Sequence, residues 1–276
     1  MQRFILGAII TLLCLPIPAR ALVLEGKLVQ GGMAIGRVDP ATTVHFHGKA
    51  VRVSADGLFV IGFSRDAEAK SVIELHQPSG TVEKHPFTIE KRTYNIQRID
   101  GLPPRKVSPS AEDLERIYKD IALVKEVRKK DDPRTDFSQP FIWPVTGRIS
   151  GVYGSQRVLN GKPKRPHYGV DIAAPTGTPV KAPADGIVSM AHNDMFYSGG
   201  TLIVDHGHGL STTYMHLHKI LVKEGQRVKQ GDVIAQVGAT GRVTGPHLHW
   251  GMNWFDTRLD PSLFVPPMPE ATAAAQ

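Results

Sequence analysis

The stretch that decides the fold of the C-terminal half begins His167-Tyr-Gly-Val-Asp171 and continues Ile172-Ala-Ala-Pro-Thr-Gly-Thr-Pro-Val180. Its histidine and aspartate are four residues apart, a spacing that covers about 13 Å on a straight strand. Two ligands of one zinc ion, each about 2.1 Å from the metal, lie no more than about 4 Å apart. If both side chains bind one metal, the backbone must bend, and Gly169 permits the bend. A helix would also bring the pair together, but Gly169, Val170 and Pro175 disfavour one.

A second histidine pair, His247-Leu-His249, lies far downstream. Alternate side chains of a strand point the same way, about 6.5 Å apart along the backbone. Both histidines can bind one metal, or one can bind while the other contacts a bound water, and the spacing leaves both alternatives open. A further histidine stands between the two patterns in Tyr214-Met-His216-Leu217. Imidazole and carboxylate are good ligands for a borderline-soft divalent metal. Together the patterns therefore predict a metal-dependent hydrolase.

The N-terminus is typical of an export signal, which we place at residues 1–21. Arg3 supplies a positive start, Phe4 to Leu15 is an apolar run, and Ala19-Arg20-Ala21 resembles a cleavage site. The apolar run is too short to span a bilayer, and we expect no membrane span after signal cleavage. The only cysteine, Cys14, lies within this signal. A mature chain without thiols must build a metal site from histidine and carboxylate.

The chain has 276 residues, enough for two modest domains, and a formal net charge of +7. An exported basic protein is attracted to anionic surfaces such as cell wall or lipid headgroups, although the charge can equally serve solubility. No basic stripe with interleaved aromatic side chains is present, so we expect no nucleic acid partner. We expect a monomer that a regulatory protein can bind.

Turn signals and composition divide the mature chain into segments. Residues 22–104 alternate short strand-like runs with Gly and Asp turns, which predicts a small N-terminal β-sandwich. Residues 105–135 read as a linking helix. Residues 136–266 contain strand-like runs separated by Gly and Pro and no long helical period, so the chain as a whole is predicted to be mostly β. Residues 267–276 are predicted to be a disordered tail.

The linking helix has a start signal and an apolar stripe. Ser110 and Asp113 resemble a capping box at its beginning. The stripe follows helical spacing and consists of Leu114, Ile117, Ile121 and Val124. We expect the stripe to pack on a neighbouring domain rather than on a partner protein.

Three patterns together resemble the lysostaphin/LytM-like zinc metallopeptidases: His167-x-x-x-Asp171, Tyr214-Met-His216-Leu217 and Gly241-Arg-Val-Thr-Gly-Pro-His-Leu-His249. The framework runs Ile172–Val180 and Gly225–Ile234 match that family as well. The resemblance implies a C-terminal antiparallel β-sheet metallopeptidase domain of lysostaphin/LytM type. It also implies that one Zn²⁺ is bound by His167, Asp171 and His249, with His216 and His247 as the further active-site residues.

The chemistry of such a site is consistent. Three protein ligands leave zinc an open position for water, as in catalytic rather than structural zinc sites, and the metal lowers the pKa of that water and polarises the scissile carbonyl. The H-E-x-x-H motif that supplies a Glu base is missing here, so a histidine must carry the proton. We assign His247 as the base and His216 as the residue that stabilises the oxyanion.

The family implies peptide bonds of bacterial peptidoglycan as the substrate. We expect the periplasm of a Gram-negative bacterium and a D-amino-acid crosslink between stem peptides. The alternative function is a non-catalytic activator of wall amidases or a division scaffold, but such proteins have lost ligands that this chain keeps. Glu224–Ile234 also resembles a run of biotinyl/lipoyl carrier domains. Such a domain needs a lysine on an exposed hairpin tip, and no convincing candidate is present, so we read this run as shared β-framework.

Three further expectations concern residues outside the five-residue set. His206-x-His208 reads as a hairpin turn, because glycines flank His208. Arg157 and Asn160 precede the first ligand in a loop that could face substrate. Because the helix ties the sandwich to the catalytic domain, we hypothesise that the N-terminal part covers the groove and restrains cleavage.

Overall fold

The computed structural model describes residues 22–269, so the predicted export signal at 1–21 and most of the predicted tail lie outside it. The strands in chain order are β1 (Leu24–Gly26), β2 (Met33–Arg37), β3 (Thr43–Phe46), β4 (Lys49–Val51), β5 (Leu58–Gly62), β6 (Lys70–His76), β7 (Val82–Thr88), β8 (Ile96–Ile99), β9 (Arg148–Gly151), β10 (Gln156–Leu159), β11 (Lys162–Pro163), β12 (Val170–Ala173), β13 (Pro179–Lys181), β14 (Gly186–Met195), β15 (Gly199–Asp205), β16 (Leu210–Leu217), β17 (Lys219–Ile220), β18 (Arg227–Val228), β19 (Val233–Gln236), β20 (His247–Trp254) and β21 (Thr257–Leu259). Helices α1 (Pro104–Val107) and α2 (Ala111–Val127) lie between β8 and β9. No helix within residues 22–269 is long and apolar enough to cross a bilayer.

The N-terminal strands form two sheets that face each other. One sheet has the order β1-β2-β5 and the other the order β4-β3-β6-β7. Alternate residues of β6 are buried, as its period of two requires when one face meets a core. Phe46, Phe59, Ile61 and Ile73 fill the space between the sheets. This confirms the predicted β-sandwich.

The C-terminal half is built on one large antiparallel sheet of the order β18-β14-β15-β16-β20-β12-β9. A smaller sheet, β13-β19-β17, packs across it, and the two enclose a core that includes Ile172, Tyr214 and Trp250. In β20 the side chains of Leu248 and Trp250 enter this core. His247 and His249 alternate with them and therefore lie on the opposite face of the sheet. The predicted mostly β architecture is thus confirmed.

Helix α2 begins as the sequence predicts, with both capping-box hydrogen bonds formed between Ser110 and Asp113. The predicted apolar stripe is only half right. Ile117 is buried, but Leu114 and Ile121 are 37% and 50% exposed. The predicted Val124 does pack, together with Val127, which the stripe did not include; both contact a cluster of Met190, Met195 and Ile203 on the outer face of β14 and β15. Because α2 contacts only a narrow part of the sheet, Leu114 and Ile121 of the stripe remain in solvent.

Strand β8 pairs with a strand of the C-terminal half and not with any strand of the sandwich. It runs parallel to β10, with Ile96 opposite Gln156 and Ile99 opposite Leu159. β10 also pairs with β11, so β8 extends the hairpin that precedes the first predicted ligand. The segment between the sandwich and α1 therefore forms part of the wall beside the predicted site.

Candidate metal centre

Three of the predicted residues converge at one point, and we call His167, Asp171 and His249 the ligand trio. One ligand atom from each lies within 4.8 Å of the others. Nε2 of His167 is 2.9 Å from Nδ1 of His249 and 3.0 Å from Oδ1 of Asp171. Nδ1 of His249 is 2.8 Å from the same Oδ1. Two ligands at about 2.1 Å from a tetrahedral zinc would be about 3.4 Å apart, so small outward shifts would open the trio around an ion.

The folded chain accounts for this convergence. Asp171 on β12 lies directly opposite His249 on β20. His167 precedes β12, where Gly169 allows the turn and also leaves room for a neighbour. A Cβ at residue 169 would lie 2.6 Å from Nε2 of His249. Gly169 is therefore needed for two reasons. It allows the bend that the His167–Asp171 spacing predicts, and it leaves room for the His249 ring.

The hydrogen bonds and the burial of the trio prepare its side chains to bind a metal. Nδ1 of His167 lies 3.1 Å from the backbone oxygen of Val152. This bond places the proton on Nδ1 and leaves the lone pair of Nε2 directed at the other ligand atoms. All three side chains are buried. Burial alone would raise the pKa of Asp171, but its electrostatic interactions and hydrogen bonds with His167 and His249 hold it well below its usual range. Burial lowers the pKa of His249 to about 4, which keeps its imidazole neutral.

His216 and His247 stand beside the trio. Their ring centroids are 4.8 Å apart, and Nε2 of His247 lies 3.8 Å from Oδ1 of Asp171. Each Nδ1 faces a backbone oxygen, that of Thr240 for His216 at 2.8 Å and that of Gly245 for His247 at 2.9 Å. With each Nδ1 proton donated to a backbone oxygen, Nε2 of each ring remains available for a second hydrogen bond. Burial, followed by the nearby His247 and His249, lowers the pKa of His216 to about 3.

His216 also occupies an uncommon backbone conformation, with φ at +65°. The irregularity follows Tyr214, whose side chain lies in the core and whose hydroxyl oxygen is 2.8 Å from Oγ1 of Thr212. Regular alternation would send residue 216 into the core with Tyr214. The positive φ redirects its side chain to the face that carries His247. Strain of this kind is typical of functional positions.

We expected Arg157 and Asn160 in a loop that could face substrate, but both are half-buried and their side chains bond protein groups. Nη2 of Arg157 donates to Oδ2 of Asp171 at 2.6 Å. The side chain of Asn160 bonds both backbone groups of Leu102, at 2.7 and 3.2 Å. The contact between Arg157 and Asp171 could not be read from the sequence, because the two residues meet only after β10 and β12 have folded beside each other.

The second pattern of alternate histidines is structural. His206 and His208 form the turn between β15 and β16, which confirms the predicted hairpin. Nδ1 of His206 lies 2.6 Å from the backbone oxygen of Asp185, and its Nε2 lies 2.8 Å from Oγ1 of Thr212. These bonds occupy both ring nitrogens, so His206 has no free nitrogen with which to bind a metal.

Comparisons with known proteins find relatives of the part of the chain that carries this site. A model described as Peptidase family M23 matches residues 165–261. Peptidoglycan DD-endopeptidase ShyA of Vibrio cholerae is 49% identical over 105 residues, 37% of this chain and 24% of that protein. DD-carboxypeptidase/endopeptidase Mpg of Neisseria meningitidis is 42% identical over 130 residues, 47% of this chain and 30% of that protein. A crystal structure assigned to peptidase M23 from Pseudomonas aeruginosa has a TM-score of 0.68 and 32% identity, covering 86% of this chain and 95% of that one.

The curated relatives and the solved structure match different lengths of this chain. The matches to the two curated relatives span less than a third of the length of either protein. The likeness to the Pseudomonas aeruginosa structure extends over nearly the whole described chain, including the N-terminal segments. The ligand trio, His216 and His247 all lie inside residues 165–261, whereas Arg157 and strand β8 lie outside that range.

Proposed function

The chain belongs to peptidase family M23, and on this premise we propose that it is an exported zinc-dependent endopeptidase that hydrolyses peptide crosslinks of bacterial peptidoglycan. The observation that carries the proposal is the convergence of the ligand trio, with two further imidazoles beside it. The names of the two curated relatives, a peptidoglycan DD-endopeptidase and a DD-carboxypeptidase/endopeptidase, support the substrate class.

The donor set favours one zinc ion. Two neutral imidazoles and one carboxylate, all buried, are the kind of ligands that catalytic zinc sites use. When bound, the metal would supply Lewis acidity toward a carbonyl oxygen and a more acidic water. The residues of the chain would supply orientation and proton transfer. His167 and His249 present their lone pairs, and the Asp171 carboxylate offsets part of the charge of the metal.

We assign the proton transfer to His247. Its Nδ1 faces the backbone oxygen of Gly245, its Nε2 lies 3.8 Å from Oδ1 of Asp171, and its side chain is 17% exposed, so Nε2 can accept a proton from an attacking water and return it to the leaving amine. His216 is assigned to the oxygen on which negative charge develops. With its Nδ1 proton bonded to Thr240, His216 can donate there only after its Nε2 is protonated. That second proton would come from solvent water as the negative charge develops, because burial lowers the pKa of His216 to about 3 and disfavours the protonated ring until then.

The proposed location is the periplasm of a Gram-negative bacterium, and the proposed bond is a D-amino-acid crosslink between stem peptides. The predicted signal at residues 1–21 and the net charge of +7 support attraction of an exported chain to an anionic wall. We propose that the protein acts as a monomer. The domain boundaries at 104, 135 and 266 remain our proposals as well.

The test is digestion of purified peptidoglycan by the mature chain, with and without a chelator, followed by mass analysis of the fragments. We expect crosslinked dimers to disappear and the chelator to stop their loss. A protein that binds zinc but leaves the dimers intact would contradict the proposal. That outcome would favour the alternative, a non-catalytic activator of wall amidases or a division scaffold.

A further inference from the structure

We propose that Arg157 is a positioning residue that restricts Asp171 to metal binding through one oxygen, and that strand β8 holds Arg157 in place. The inference rests on the proposed metal site. It adds to that site a residue outside the region shared with the family model, and it connects the site to the N-terminal part of the chain.

The two carboxylate oxygens of Asp171 have different surroundings. Oδ1 faces Nε2 of His167 at 3.0 Å and Nδ1 of His249 at 2.8 Å. Oδ2 accepts the hydrogen bond from Nη2 of Arg157 at 2.6 Å. A carboxylate with both oxygens free can rotate, or can bind a cation through both. With Oδ2 engaged by a guanidinium, only Oδ1 is directed toward the other ligands.

The backbone beneath the carboxylate restricts it further. A Cβ at residue 151 would lie 2.4 Å from Oδ2 of Asp171, so Gly151 on the neighbouring strand β9 leaves the space that Oδ2 occupies. Oδ2 is therefore packed over the sheet on one side and bonded to Arg157 on another. The side chains of Arg157 and Asp171 are only 18% and 10% exposed, so this charge-assisted hydrogen bond is poorly screened by water.

Strand β8 supports Arg157 from the other side. In the parallel pairing, Gln97 lies opposite Arg157, and Nε of Arg157 is 3.4 Å from Oε1 of Gln97. Nε2 of Gln97 is in turn 3.4 Å from the backbone oxygen of Ser150. Backbone bonds on both sides, from Gln156 to Asn95 and from Asn160 to Ile99, each 2.9 Å, fix the register. The guanidinium is thus held between a β8 amide and the ligand carboxylate.

Charge and orientation predict opposite effects when Arg157 is replaced. Removing a cation beside a site for a dication would, by electrostatics alone, tighten metal binding. Removing the group that orients a ligand carboxylate weakens binding, typically by about 10- to 100-fold for such outer partners. The direction of the change therefore distinguishes a positioning role from a simple charge effect.

The experiment uses the whole mature chain and measures two properties that do not depend on activity. Zinc affinity is determined by competition with a chromophoric chelator, and the coordination of bound Co²⁺ is followed by visible absorption. The variants are Arg157→Gln, Arg157→Lys and Gln97→Ala. Arg165→Gln is the matched control, because it removes the same charge from an exposed position of the same segment.

We expect Arg157→Gln to weaken zinc binding about 10- to 100-fold and to change the Co²⁺ spectrum toward higher coordination, since Oδ2 becomes free to bind. Arg157→Lys keeps the charge without the planar fork and should restore only part of the affinity. Gln97→Ala should give a smaller loss of the same sign, and Arg165→Gln should leave both properties unchanged.

Three outcomes would overturn the inference. The first is unchanged or tighter zinc binding by Arg157→Gln, together with an unchanged Co²⁺ spectrum. The second is an equal loss in the Arg165→Gln control. The third is an Arg157→Gln protein with a lowered Tm whose residual folded fraction binds zinc normally. If the unaltered protein bound no zinc at all, the proposed function itself would fail, and the variants would not be needed to show it.

Discussion

Nη2 of Arg128 lies 3.1 Å from Oγ1 of Thr213, and this contact joins the end of helix α2 to the sheet face that carries the ligand trio. Thr213 is opposite Gly251, and two residues farther along β16 Met215 is opposite His249. Side chains at these positions share one face of the sheet. The end of α2 therefore lies on the face from which a substrate would reach the metal centre.

Further contacts tie the linker to loops near the same face. Nη2 of Arg116 is 2.7 Å from Oδ2 of Asp194, and Oδ2 of Asp120 accepts from the backbone nitrogen of Phe196 at 2.7 Å. Nζ of Lys106 lies over the Phe196 ring, 3.9 Å from its centroid. These contacts hold the linker against the loop between β14 and β15, and the hypothesis that the N-terminal part restrains cleavage is tested by releasing it.

We expect helix undocking to raise activity. Val124→Glu with Val127→Glu would place two carboxylates against the cluster of Met190, Met195 and Ile203, which disfavours the docked helix. The rate of dimer cleavage in purified peptidoglycan should rise severalfold. Leu123→Glu is the control, because Leu123 is 42% exposed on another side of the helix.

A fragment that starts near Asp136 tests the same hypothesis more drastically. It lacks the linker and also β8, which supports Arg157, so its cleavage is measured at saturating Zn²⁺ after its fold has been checked by circular dichroism. Under that condition we expect it to cleave faster than the mature chain. If neither the fragment nor the double variant cleaves faster, the covering role is wrong.

Replacement of His249 and His247 separates metal binding from proton transfer. His249→Ala should lose both zinc and activity, because it removes one member of the trio. His247→Ala should keep much of its zinc and lose about 10²- to 10⁴-fold in rate, the usual contribution of a general base. Zinc content by mass spectrometry and cleavage rates check both. Normal zinc binding by both variants would contradict the ligand assignment.

Gly169→Ala should weaken metal binding without removing any ligand. The added Cβ would lie 2.6 Å from Nε2 of His249 and 2.6 Å from the backbone oxygen of Trp250, so the His249 ring must shift. Overpacking of this kind typically costs about 1–3 kcal/mol. Gly245→Ala is the control, since a Cβ there meets nothing within 4 Å. Chelator competition measures the difference, and equal zinc affinities would contradict the requirement for close approach.

The buried His206 predicts acid sensitivity of the apo protein. Burial lowers the pKa of His206 to about 4 in the folded chain, against about 6.5 when unfolded. Above pH 6.5 both states are neutral and this group adds no pH dependence. As the pH falls from 6.5 toward 4, only the unfolded chain gains the proton, so the free energy of unfolding falls by up to about 3 kcal/mol.

Urea unfolding of chelator-treated protein at pH 7.5 and pH 4.5 measures this effect. His206→Gln removes the titrating group, so its stability should fall less between the two pH values than that of the unaltered protein. The other buried histidines titrate in both proteins and cancel in the comparison. An equal fall in both would show that His206 does not couple folding to the proton.

Much of the candidate site could be predicted because its residues fall into short patterns. His247 and His249 share a face by the period of a strand, and the spacing from His167 to Asp171 demanded a bend that Gly169 allows. Capping of α2 by Ser110 was predictable for the same reason, since a cap depends on neighbours within one turn.

The amino-acid sequence by itself determined the types of ligand, the thiol-free character of the predicted mature chain, the mostly β pattern and the position of the linking helix. Only the tertiary structure decided which side of α2 is buried, that β8 joins the hairpin beside the site, and that Arg157 bonds Asp171. The physical reason is the range of the interactions. Strand period and capping act between near neighbours, whereas these contacts join residues on separate elements, and burial and charge favour them only after the sheets have packed.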